Sequence, residues 1–176
     1  MRRTILLLAS VAVAMILASG TAFALLTIAS GGSIQRVQIV RETSTTFSNA
    51  VAFNNVPGAA VSVSVPAGST RLIMARFSAE SACYGGAGAQ HCSVRIVAVN
   101  AATGAVTELS PQSGSNFAFD STDSGTETSA SWEGHSMDRS ERLDAGNYRI
   151  VVQRAVTNAA VTFRLDDYSL TVEQAT

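Results

Sequence analysis

The sequence predicts an all-β fold, an antiparallel sandwich of about ten strands behind an N-terminal signal helix, and three observations predict it. Apolar residues recur with period two rather than 3.6, turn-forming clusters arrive about every ten residues, and nothing after Ala24 carries a convincing helical period. Short alternating segments punctuated in this way belong to a sandwich or a barrel.

The first element is an export signal. Arg2 and Arg3 precede an apolar run from Ile5 to Ala18, and small residues then lead to Ala22-Phe23-Ala24, the A-x-A form after which a signal peptidase cuts. The run is short for a membrane span, which needs roughly 20 residues, and Ser19, Gly20 and Thr21 interrupt it before Leu25 to Ala29. Residues 1–24 are read as the signal peptide, with an uncleaved anchor as the alternative, 25–33 as a flexible N-terminal segment, and 34–176 as a single β-sandwich domain. The C-terminus, Val172-Glu173-Gln174-Ala175-Thr176, carries neither an apolar tail nor a basic cluster, so no stable membrane insertion is expected once the signal is removed.

The strands follow in order. Shorter candidates are Ile34 to Arg41 and Thr45 to Phe53. In Val61-Ser62-Val63-Ser64-Val65 one face is valine and the other serine, which makes a half-buried strand. Pro66-Ala67-Gly68 turns the chain into Arg71 to Ala79, where Ile73, Ala75, Phe77 and Ala79 share a face. Cys92 to Val99 alternates Val94, Ile96 and Ala98 against Arg95, Val97 and Val99, and is expected to pair with the preceding strand as a hairpin. Then come Ala105 to Leu109, Phe117 to Asp120, a long segment from Thr128 to Arg142, Tyr148 to Ala155, Val161 to Leu165, and Tyr168 to Glu173, the last with Tyr168, Leu170 and Val172 on one face. The core rings are expected to be Phe47, Phe53, Phe77, Phe117, Phe119 and Phe163, together with Trp132. An internal echo, Ala67-Gly68-Ser69-Thr70-Arg71-Leu72-Ile73 against Ala145-Gly146-Asn147-Tyr148-Arg149-Ile150-Val151, marks two similar corners of a double-sheet design.

Between two of these strands lie the only cysteines, Cys83 and Cys92, around the Gly-rich stretch from Tyr84 to His91. In an exported chain such a pair oxidises. The alternatives are two free buried thiols or a metal site with His91 as a third ligand, although zinc takes four closed ligands at tighter spacing.

Charge removes whole classes of function. All 12 basic residues are arginine, against 13 acidic ones, and no basic stripe offers itself to nucleic acid. Without lysine there is no Schiff base and no lysine nucleophile. His91 and His135 are the only imidazoles, and no G-x-S-x-G elbow, metalloprotease spacing or phosphate-cradling glycine loop occurs. His135, Asp138 and one of many serines can be drawn as a triad, but any serine-rich chain permits that drawing. Asp120, Asp123 and Glu127 cluster on a loop with Gly125, off the EF-hand spacing, and Ca2+ in an irregular loop is weighed there against an ordinary polar turn; no other cofactor is expected.

Two segments carry a resemblance. Leu143-Asp144-Ala145-Gly146-Asn147-Tyr148-Arg149-Ile150-Val151-Val152 and Phe163-Arg164-Leu165-Asp166-Asp167-Tyr168-Ser169-Leu170-Thr171-Val172-Glu173 resemble the closing strands of secreted jelly-roll modules, many of them carbohydrate-binding. The stretch from Arg76 to Tyr84 with Cys92 to Ile96, and that from Phe117 to Glu127, are similar to functionally unassigned secreted proteins of GC-rich bacteria. The resemblance implies a jelly-roll-like sandwich and an extracellular binding role.

The expectation is therefore a secreted, non-enzymatic binding or interaction module, with surface polysaccharide or another extracellular protein as partner. Tyr84 on the stapled loop and Trp132 are the candidate sugar-stacking rings. The alternative is an assembly subunit of an extracellular oligomer, trimeric like the tumour-necrosis-factor-like jelly rolls; a hydrolase ranks last. Mass spectrometry of the exported protein is expected to find Leu25 as its first residue, and a retained Met1 would contradict the export reading.

Overall fold

The computed structural model describes residues 30–112 and 117–176; the expected signal peptide and most of the 25–33 segment lie outside the described residues. Eight strands form one antiparallel hydrogen-bonded system: β1 (Ile34–Glu42), β2 (Thr46–Ser48), β3 (Asn54–Gly85), β4 (His91–Asn100), β5 (Val106–Glu108), β6 (Asp120–Ser121), β7 (Glu133–Val156) and β8 (Val161–Ala175). The path runs β1-β8-β3-β7-β4-β5, with β2 added to β8 and β6 to β4. No helix among the described residues is long and apolar enough to cross a membrane.

Most of the expected strands are present but fewer, because several of them fuse; Phe117 to Phe119 lie outside any strand, Thr128 to Trp132 precede β7, and only Thr46–Ser48 of the 45–53 segment pairs. Val61 to Val65 and Arg71 to Ala79 are two halves of β3, the segments around Trp132 and Tyr148 merge into β7, and the last two segments join as β8 across an irregularity at Asp167, whose φ is 41°. Each long strand bends where turn residues stand in its middle. Pro66 to Ser69 bulge out of β3 between the pairs Val65↔Gly146 and Thr70↔Asp144, and Gly68 takes the left-handed φ of 72° that the bulge requires. The two echoed segments meet at this corner.

The bend makes two layers. In the first, β8 lies between β1 and the later half of β3, whose other side pairs with the early half of β7. In the second, the early half of β3 pairs with the later half of β7, which also carries β4 and then β5. Alternation turns Val61, Val63 and Val65 of one layer and Ile73, Ala75 and Phe77 of the other into a common core with Val94, Ile96, Ile150, Val152, Phe163 and Leu170. Fully burying each large apolar side chain contributes about 1.5–3 kcal/mol. Polar ties cross between the layers as well: the Tyr168 hydroxyl donates to Pro57 O at 2.6 Å, and Gln174 Nε2 donates to Ser64 O at 3.1 Å. Burial holds the Tyr168 phenol above its usual pKa, with nearby Glu42 adding to the effect.

Cys83 and Cys92 are disulfide-bonded and buried, with Cα atoms 5.9 Å apart. The expected hairpin between their strands is not formed. β3 spends its hydrogen bonds on β7 and β8, whereas β4 pairs with β7, β5 and β6. The Gly-rich loop instead crosses from one layer to the other. Gly85 starts the crossing with φ 88°, and a Cβ there would stand 2.7 Å from Ala160 O. The disulfide therefore staples layer to layer, Cys83 beside Phe163 and Cys92 beside Val156. Replacing both cysteines with alanine is expected to lower the unfolding free energy by about 2.5–3 kcal/mol in urea denaturation, and an unchanged midpoint would contradict this role.

Candidate functional site

Register places the candidate rings. Phe47 of β2 stands opposite Arg164 of β8, and Thr162 of β8 stands opposite Tyr84 of β3. Because Phe163, Leu165 and Cys83 point into the core, their neighbours Thr162, Arg164 and Tyr84 point outward, and Phe47 joins them. Together with Thr45 and Asn49 these side chains line a groove of about 580 Å³ on the outer face of the first layer.

Phe47 was an expected core ring and is instead 73% exposed. β2 covers only the early part of β8, and among the described residues its outward side pairs with no further strand. It is held from beneath by Arg154, whose Nη2 donates to Thr46 Oγ1 at 2.9 Å and to Phe47 O at 2.8 Å. Arg154 is only 4% exposed, and its Nε and Nη1 make no hydrogen bond among the described residues. Burial accordingly pulls its pKa below the usual arginine range, against a smaller opposing pull from Tyr168.

Trp132 is not a core ring either. It lies half-buried just before β7, with the Arg164 guanidinium 4.6 Å from its ring centroid. Arg164 Nη1 also donates to Ser129 O at 3.0 Å. Arg164 thus links the two rings read from the sequence: Tyr84 lines the groove, and Trp132 backs the guanidinium at its rim. Of the remaining expected core rings, Phe53 is half-buried under Arg95 and Phe117 under Arg139, while Phe77, Phe119 and Phe163 are buried. A second groove of about 320 Å³ on the same layer, lined in part by Met74, Arg76, Pro111 and Asp138, holds a surface ion pair between Arg76 and Asp138 at 2.7 Å and no aromatic ring.

The three acidic residues expected on one loop take different partners. Asp120 is buried, at 7% exposure, and accepts from Ser81 Oγ at 2.6 Å and from the Ser121 N–H at 2.6 Å. Asp123 accepts from the Ser121 hydroxyl, and Glu127 is half-buried, its N–H bonded to Thr122 O. Among the described residues the donors that converge with Asp120 are Glu133 and His135, all within 4.8 Å of one another. Sequence spacing did not bring these together, since only pairing sets Ala79 against His135 and Ser81 against Glu133.

Asp138 is not the partner of His135. An odd separation along β7 turns the two to opposite faces, and Asp138 goes to Arg76. The imidazole instead meets Ser81 Oγ through Nδ1 at 2.9 Å and Glu133 through Nε2 at 3.4 Å. Ser81 has no exposed surface, so its oxygen is shut off from any acyl group outside. Ser81→Ala would leave the buried Asp120 oxygen without its donor and is expected to cost about 1–3 kcal/mol of stability in chemical denaturation; a neutral result would contradict the bonding described.

No protein-family model and no curated protein matches the sequence. Among solved structures, the chain is similar to dimeric latent PorU from Porphyromonas gingivalis (12% identity, TM-score 0.40, 85% of this chain and 14% of that one). It is also similar to CBM35 from Cellvibrio japonicus Abf62 (19% identity, TM-score 0.29, 80% of this chain and 95% of that one). A third similar structure is that of the infectious bursal disease virus Gx strain (7% identity, TM-score 0.34, 85% of this chain and 39% of that one). The chain thus spans well under two thirds of the first and third of these, and likeness at this level carries no argument about function.

Proposed function

We propose that this domain is an exported, non-enzymatic binding module that takes carbohydrate in the groove between Phe47, Tyr84 and Arg164. The observation that supports it is the pairing of an outward Phe ring with a Tyr ring on one sheet face, surrounded by the amide, hydroxyl and guanidinium groups of Asn49, Thr45, Thr162 and Arg164. A sugar ring presents an apolar C–H face and a rim of hydroxyls. The aromatic faces receive the first, and the polar side chains hydrogen-bond the second. Export is supported by the buried disulfide, which persists in oxidising compartments.

A second reading, an assembly subunit of an extracellular oligomer, is supported by β1. Among the described residues this strand pairs with β8 alone, and it exposes Ile34, Val37 and Ile39. Light scattering separates the two, because a monomer favours the module and a stable oligomer favours assembly. On a glycan array and in titration of the best binder, Phe47→Ala and Tyr84→Ala are each expected to weaken binding about tenfold with melting unchanged. Binding to no glycan, or undiminished binding by both variants, would overturn the carbohydrate reading.

A further inference from the structure

We propose that His135, Glu133 and Asp120 form a site for one divalent transition-metal ion, with Zn2+ the ion that this donor set suits. Ser81 Oγ has one hydrogen and two close neighbours, Asp120 Oδ2 at 2.6 Å and His135 Nδ1 at 2.9 Å. A carboxylate can only accept, so the hydroxyl hydrogen goes to Asp120, and Ser81 accepts from His135. Nδ1 therefore carries a hydrogen, and in the neutral imidazole the lone pair sits on Nε2.

Nε2 faces Glu133 Oε2 at 3.4 Å. In that tautomer Nε2 and the Glu133 carboxylate are both acceptors, and a cation between them satisfies both. A separation of about 3.3–3.4 Å is the edge of a tetrahedron built on metal–ligand bonds of about 2.0–2.1 Å. Asp120 brings a third donor within 4.8 Å of the other two. The chain from Nδ1–H through Ser81 to Asp120 is also the kind of outer hydrogen bonding that fixes the tautomer and aim of a metal-binding histidine.

The site is reachable from solvent. The Glu133 and His135 side chains are 55% and 30% exposed, while Asp120 and Ser81 anchor the set from below. Imidazole with two carboxylates suits Zn2+, whereas Ca2+ and Mg2+ take oxygen ligands. A bound ion would tie β6, through Asp120, to the start of β7 and so to the segment that carries Trp132.

The test is calorimetric titration of the chelator-stripped mature protein with Zn2+, and separately with Ca2+ and Mg2+. One Zn2+ per chain is expected. His135→Ala and Glu133→Gln should each weaken it by more than about tenfold, and His91→Ala, which removes the other imidazole, should match the parent protein. Should His135→Ala fail to fold, nitrogen-edited NMR of the parent protein decides: His135 should hold its hydrogen on Nδ1, and Zn2+ should shift Nε2. Absence of Zn2+ binding, binding undiminished in both variants, binding lost in His91→Ala, or an Nε2-protonated neutral His135 would overturn the proposal.

Discussion

β3 and β7 run side by side from one layer of the sandwich into the other, and this shared crossing constrains every other position. Strand side chains alternate with period two, so a slip of one residue would turn Val61, Val63 and Val65 outward and their serines inward. The three-residue excess of β3 at Pro66 to Ser69 is absorbed at one corner, opposite Ala145, which leaves the register on both sides intact. The loop from Cys83 to Cys92 then closes the opposite end of the crossing covalently.

The groove follows from that register. Once Cys83 and Phe163 are committed to the core, Tyr84, Thr162 and Arg164 face outward, and pairing with β8 sets Phe47 among them. β2 is short and owes its seat to Arg154, a buried guanidinium whose Nε and Nη1 make no hydrogen bond among the described residues. Burial of that kind works against stability. The same strand ends gather Ser81, Asp120, Glu133 and His135 on the core side of the layer, one residue away from the Trp132 that backs the groove.

Much of the fold was legible because alternation is a local property. Val61 to Val65, the face shared by Ile73, Ala75 and Phe77, and the face of Tyr168, Leu170 and Val172 could each be read from a handful of residues, as could the partner of each cysteine. What pairs with what was not local. The Gly-rich loop looked like a hairpin tip because its flanks alternate, yet both flanks had stronger partners elsewhere. Turn residues at Pro66 and Gly146 read as strand ends, although a bulge bends a long strand without ending it. Phe47 and Trp132 were assigned to the core by ring size, and only tertiary placement shows the first exposed and the second beneath Arg164. Tyr84 was expected on the stapled loop and stands instead near the end of β3, while the side chains that line the groove with it, Phe47, Asn49 and Thr162, are strung across the sequence, as are those that converge with Asp120.

On the proposed function, the outer face around Tyr84 holds sugar. Chemical-shift mapping on the isotopically labelled mature protein, titrated with a panel of oligosaccharides, tests it most directly. Saturable shifts confined to Phe47, Asn49, Tyr84, Trp132, Thr162 and Arg164 are expected for at least one oligosaccharide. Shifts that cluster on β1 or around Met74 and Arg76, or a spectrum unmoved by every sugar tried, would contradict it.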